Sequence, residues 1–218
     1  MLQAMNTIVI ATYNEPLEWM IHLMGKATIV EINKSAWGLP NIGREAYPYL
    51  HYIINTYDNL NGSYSFVHGD APRHWQPQRL DLGGLIKALL RGTDGFESLA
   101  WGEYRCMEDG FPHHLGLPVK EFYERLFQQP SPRIFSFVAG ASFKVSADYI
   151  KLRPKKFYEK ALELLLEYTW GAWIIERLWR EILDQNVADW RPAYNDAEIV
   201  KVISMKADIY YRGTVSGY

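Results

Sequence analysis

A chain of 218 residues, 48% hydrophobic and 22% charged, carries enough apolar surface for one well-packed domain, and this composition excludes a disordered chain. The formal net charge of -2 comes from 23 basic and 25 acidic residues with no basic block, which argues against nucleic acid as a partner. No run approaches the ~20 apolar residues of a membrane-spanning helix, the single Cys106 cannot pair internally, and "MLQAMNTIVIATYNE" lacks signal-peptide character, so a cytoplasmic protein is expected.

In chain order, "TIVIAT" (7–12) is β-branched without helical period and predicts a buried strand. "YNEP" follows as turn chemistry with Pro16 at a helix start, and a helix is expected through "LEWMIHLM". "ATIVEINK" (27–34) predicts a second strand, and "SAWGLPNIG" a loop. From Arg44 the spacing of Ala46, Leu50, Ile53, Ile54 and Tyr57 predicts a helix that stops at "DNLNG" before the strand "YSFVH" (64–68). Strand, helix, strand, helix, strand in about seventy residues is βαβ patterning, which predicts an α/β fold with a mostly parallel sheet flanked by helices. Ligands in such sheets bind outside the carboxyl ends of the strands. The polar segments "TYNE", "INKSAWGLPNIGRE" and "HGDAPRHW" are therefore expected at one edge.

Farther along, "LGGLIKALLRG" predicts a helix, "EDGFPHHLGLP" a loop and "VKEFYERLFQQ" a short amphipathic helix. "RIFSFVAGASFKVSADYIKLRP" (133–154) alternates like a strand pair, or a strand entering a turn. Helices are expected over "KKFYEKALELLLEY" and "WGAWIIERLWREILDQ". The domain is expected to span 1–185, with 186–218 as an extension: an edge strand, an arm, or a linker to a further domain.

Each polar segment has two readings. Asn14 and Glu15 after a first strand fit either a ligand contact or a turn with a helix cap. In "NIGREA", Asn41 could cap, Gly43 could allow close backbone approach, and Arg44 with Glu45 could be a solvated first turn. His68 and Asp70 fit a metal site or a polar strand end, and Arg73 and His74 fit phosphate or sugar contacts or solvent. Gly140, Ala141 and Ser142 would let a sugar ring approach the backbone, or make a tight bend. Glu176 lies between Trp173 and Trp179 on a helix, where a carboxylate suits a general base, or pairs with an arginine such as Arg177, Arg180 or Arg44. His113 and His114, adjacent in a loop, border an acceptor site or face solvent.

With Tyr13-Asn14-Glu15, Asn41-Ile42-Gly43-Arg44 and His68-Gly69-Asp70 in this order, the chain resembles nucleotide-sugar glycosyltransferases of the GT-A type. It resembles more closely a smaller family of glycosyltransferase-like domains, viral ones included, through Asn41 to Ile54, Phe66 to Gly69, Gly140 to Ser146 and Glu176 to Trp179. The resemblance implies a single GT-A-like domain and transfer of a sugar from a nucleotide-diphosphate donor to a glycan or other hydroxyl acceptor, with inversion. Thr12, Tyr13, Asn14, Glu15, Asn33, Lys34, Asn41, Arg44 and Glu45 would hold the nucleotide and its phosphates. Arg73, His74, Trp75, Gly140, Ala141 and Ser142 would contact the sugar side, and Glu176 would be the base. Asp70, with His68 standing where the family's first aspartate is expected, would hold a divalent cation. Mn²⁺ suits an imidazole ligand better than Mg²⁺. Two other readings stay open: a nucleotide- or carbohydrate-binding module that does not catalyse, and a metal-dependent hydrolase using His68, Asp70 and His74.

Overall fold

In a computed structural model of the chain, the structure describes residues 6–75, 82–99 and 103–184 and the single positions 201 and 204; the proposed extension, 186–218, otherwise lies outside them. Strands β1 (Thr7–Thr12), β2 (Thr28–Asn33), β3 (Ser63–His68), β4 (Phe96–Ser98) and β7 (Phe143–Ser146) form a sheet ordered β2-β1-β3-β7-β4. β1 pairs in parallel with both β2 and β3, whereas β7 is antiparallel to β3 and to β4. Four of the five strands thus point one way, and the protein is an α/β fold with a mostly parallel sheet flanked by helices.

β1 is buried on both faces, as its unbroken apolar run predicts. Ile8 and Ile10 join Val67 in one core, under the segment around Trp19 and helix α3 (Leu82–Leu90). Val9 and Ala11, pointing the other way by the two-residue period of a strand, join Phe66, Phe143 and Val145 in a larger core. Helices α1 (Ala46–Thr56), α6 (Lys155–Glu167) and α7 (Gly171–Leu183) cover that face. α1 buries Ala46, Tyr49, Leu50 and Ile53 on one side, and Pro48 costs it little because first-turn N–H groups have no helical acceptor. α7 buries Ile174, Ile175, Leu178, Trp179, Ile182 and Leu183.

Three local expectations are corrected. The helix expected through "LEWMIHLM" is a 3-10 turn over Glu18–His22, closed by i to i+3 bonds from Met20 N to Leu17 O and Leu23 N to Met20 O, both 2.9 Å. Of the two readings of 133–154, the strand pair gives way to the strand entering a turn: β6 (Ile134–Val138) pairs with β5 (Glu103–Met107) in a second sheet, while β7 enters the main one. The crossing between sheets is made at Gly140 and Ala141, both at positive φ (80° and 45°). The polar loop "HGDAPRHW" is partly helical, with α2 over Ala71–His74. Short helices α4 (Val119–Phe127) and α5 (Ala147–Lys151) and a 3-10 turn over Tyr57–Asn59 complete the described elements, and β6 packs on α7.

Candidate functional site

Parallel pairing of β1 with β2 and β3 places Thr12, Asn33 and His68 at one edge of the sheet. There a cavity of about 640 Å³ opens, bordered by Thr12, Tyr13, Glu15, Lys34, Asn41, Arg44, Glu45, His68 and Asp70 from the strand ends and their loops. Gly140, Trp173 and Glu176 border it from the opposite side, with Tyr104, His113, His114, Phe137 and Arg177. The three polar loops therefore do meet, together with the residues of α7.

The strand-end wall is held by its own backbone. Glu15 folds back so that its Oε2 accepts the N–H of Tyr13 (2.6 Å) and of Asn14 (3.1 Å). Gly69 is required beside it, since a Cβ there would lie 2.8 Å from that of Glu15. The Gly69 N–H donates to Ala11 O (2.9 Å), and its carbonyl accepts Trp19 Nε1 (2.8 Å). His68 Nδ1 and Asp70 Oδ1 are 2.5 Å apart.

Lys34 is buried and donates through Nζ to the carbonyl of Arg44 (3.2 Å). Burial draws its pKa below the usual lysine value, with Glu45 and Glu15 pulling the other way. Glu45 is raised by burial, opposed by Arg44 and His68. Arg44 itself has φ 47° after Gly43 at 67°, a conformation that costs a non-glycine residue about 1 kcal/mol. The bent backbone brings its guanidinium to 5.4 Å from the Trp173 ring centroid, so it bridges the two walls. Gly43 has its own reason: a Cβ there would come within 2.9 Å of Tyr47 Cβ and 3.0 Å of Leu165.

The opposite wall centres on Arg177, whose side chain is 2% exposed. Nη1 donates to Glu176 Oε2 (2.5 Å) and to the Trp173 carbonyl (3.0 Å), Nη2 lies 2.7 Å from His114 Nδ1, and the guanidinium stacks 4.7 Å from the Phe137 centroid. Glu176 Oε1 accepts the Gly140 N–H at 2.8 Å. The arginine pairing anticipated as the alternative for Glu176 is thus present, with Arg177 as the partner. His113 meets Tyr104 and Phe137 edge-on, with centroids 5.7 and 5.6 Å away. Burial first, and then the Arg177 charge, lowers the pKa of both His113 and His114.

Several anticipated residues do not border the cavity. Asn33 accepts the Ala36 N–H on Oδ1 (3.0 Å) and reaches Glu31 Oε1 (3.4 Å), so its polar atoms close a turn. Thr12 does border the cavity, but its Oγ1 donates to the same Glu31 oxygen (2.8 Å). Asn14 is exposed beside the site, Arg73 is exposed, and Trp75 packs on the core under α3. The side chain of His74 lies outside what the structure describes. Ala141 is fully buried, and Ser142 Oγ donates to Gly140 O (3.3 Å). Both shape the crossing, and Gly140 alone of the three reaches the cavity. Cys106 is buried, with its thiol pushed up to about 12 by burial, and it takes no part in the site.

Among the described residues no group of three or more His, Cys, Asp or Glu side chains could hold a metal ion. His68 and Asp70 engage each other, so this pair fits only a cation that takes most of its ligands from a bound molecule. The sequence pattern pointed to the strand-end wall. It gave no direct sign of Tyr104 and Phe137, which β5 and β6 bring in, nor of Arg177 as the centre of the other wall.

No described helix is long and apolar enough to cross a membrane. Residues 8–94 match a family described as a protein of unknown function (DUF3431). That segment carries the strand-end wall from Thr12 to Asp70 but none of the residues around Arg177. No curated protein and no solved structure matches the chain.

Proposed function

We propose that the cavity binds a nucleotide-diphosphate sugar and transfers the sugar to an acceptor hydroxyl, with inversion, in a GT-A-like domain. The observation that carries this reading is the meeting of two unlike walls: cations and carboxylates at parallel strand ends, and a backbone-anchored carboxylate on α7. Lys34 and Arg44 offer positive charge to the diphosphate. Lys34 is already desolvated, so an incoming phosphate replaces water less than it completes a pair. Glu176, fixed by Gly140 and Arg177, takes the acceptor proton as the acceptor oxygen bonds to the anomeric carbon. The bond from that carbon to the diphosphate breaks, and its electron pair leaves on phosphate oxygen. Asp70 with His68 would hold a divalent cation, Mn²⁺ in preference to Mg²⁺, and a bound cation would offset charge on the departing diphosphate.

Calorimetric titration with a panel of nucleotide sugars, with and without Mn²⁺, tests this reading. Metal-dependent donor binding that Asp70→Ala abolishes is expected. If no nucleotide binds, the proposal fails. The second reading, a binding module that does not catalyse, is favoured by one observation: both Glu176 oxygens already accept hydrogen bonds. It predicts donor binding without release of nucleoside diphosphate.

A further inference from the structure

The wall around Arg177 specifies more than a carboxylate. A guanidinium has N–H donors and no acceptor, so at 2.7 Å from Arg177 Nη2 the Nδ1 of His114 must be the acceptor, with its lone pair turned to the arginine. The proton of the neutral ring is then on Nε2. A second cation against an arginine already committed to Glu176 and Trp173 O is disfavoured. Arg177 therefore donates from the two nitrogens of one planar fork to two acceptors, the Glu176 carboxylate and His114 Nδ1, which leaves the imidazole with a donor N–H on Nε2. Glu176 keeps accepting capacity beyond its bonds to Gly140 and Arg177, because a carboxylate has about four lone-pair sites. His114 and Glu176 both border the cavity.

From this we infer that the Arg177 wall is a hydroxyl-recognition site: the acceptor hydroxyl donates to Glu176 and accepts from His114 Nε2–H, and Arg177 is the positioning residue for both. The pattern matches a neutral group that is donor and acceptor at once. An ammonium would leave His114 Nε2–H without an acceptor, and a carboxylate would face Glu176. Among acceptor classes it selects a neutral polyol or carbohydrate over an amine or an acid. The inference rests on the proposed transfer for the word acceptor alone, since hydroxyl binding is measurable without any donor.

Nitrogen-15 NMR of the histidine rings, with His114 assigned from the missing signals of His114→Gln, reads the wall directly. In the wild-type protein at neutral pH, His114 is expected as the Nε2–H tautomer, with a saturable shift on titration with glycerol and none with acetate or methylammonium. Arg177→Lys, which keeps the charge and loses the planar fork, is expected to mix the two tautomers and weaken the glycerol response at least tenfold. A proton on Nδ1, an imidazolium at neutral pH, or a wild-type site that answers acetate or methylammonium in place of glycerol would overturn the inference. So would no response to glycerol. Loss of nucleotide-sugar binding alone would sink the proposed transfer and leave this result standing.

Discussion

The two walls of the cavity are built on different principles. At the strand ends the side chains are fixed by short-range backbone geometry: Glu15 bonds the two N–H groups just before it, and Lys34 bonds a carbonyl ten residues on. Across the cavity, Arg177 gathers His114, Phe137, Trp173 and Glu176 from a loop, a strand and its own helix. The first wall survives local changes because each turn is separately satisfied. The second is a network around one buried charge, and removing its centre leaves several groups unpaired together.

The largest expected effect follows from that contrast. Arg177→Met leaves the Glu176 carboxylate and the Trp173 carbonyl without their partner, and should cost about 3 kcal/mol in chemical denaturation. Arg44→Met, at a side chain 61% exposed, should cost under ~1 kcal/mol of stability and instead weaken nucleotide binding. Equal stability losses in the two variants would erase the distinction between the walls.

Glycine substitutions sharpen it at smaller scale. Gly171→Ala would drive a Cβ into the Leu165 carbonyl at the start of α7, and about 2 kcal/mol of destabilisation is expected from this overpacking against backbone. Gly69→Ala would bring a Cβ to 2.8 Å from that of Glu15, an atom that side-chain rotation cannot move, so the Glu15 turn itself must shift. About 1 kcal/mol is expected there, with the larger consequence in ligand affinity because the Tyr13 and Asn14 N–H groups lose their acceptor. Thermal denaturation beside calorimetry separates the two outcomes.

The smallest effect concerns pH. Burial and then the Arg177 charge hold His113 and His114 below the ordinary imidazole value of 6.5. A folded-state pKa below the unfolded one means that the unfolded chain binds protons first as pH falls. This contribution to stability is therefore full above about pH 6.5 and is lost as pH drops below it. Melting temperature should fall more steeply across that window in the wild type than in a His113→Gln, His114→Gln double variant. Identical slopes would show that neither histidine is held neutral by the wall.

The strand-end wall was legible because β1, β2 and β3 are separated by period changes that any reader of the chain can see, and parallel pairing then brings their ends together. Asn33 and Trp75 were expected at the site but do not border the cavity, because a place at a strand end or in the loop after it does not say which way a side chain turns: Asn33 reaches Glu31, and Trp75 packs on the core under α3. The other wall depends on contacts distant in sequence. His114 and Arg177 lie 63 residues apart, and β5 and β6 form a separate sheet that alternation alone did not divide from β7. The 3-10 turn at Glu18–His22 replaced an expected helix because its apolar spacing fits either geometry over so few residues.

The most direct test of the central claim is release of free nucleoside diphosphate from a panel of nucleotide sugars with Mn²⁺ and a polyol acceptor, comparing the wild type with Glu176→Gln. The account predicts turnover by the wild type, and in the variant unchanged donor binding with release lowered at least ~100-fold. Full activity of Glu176→Gln, or no release by the wild type from any donor, would contradict it.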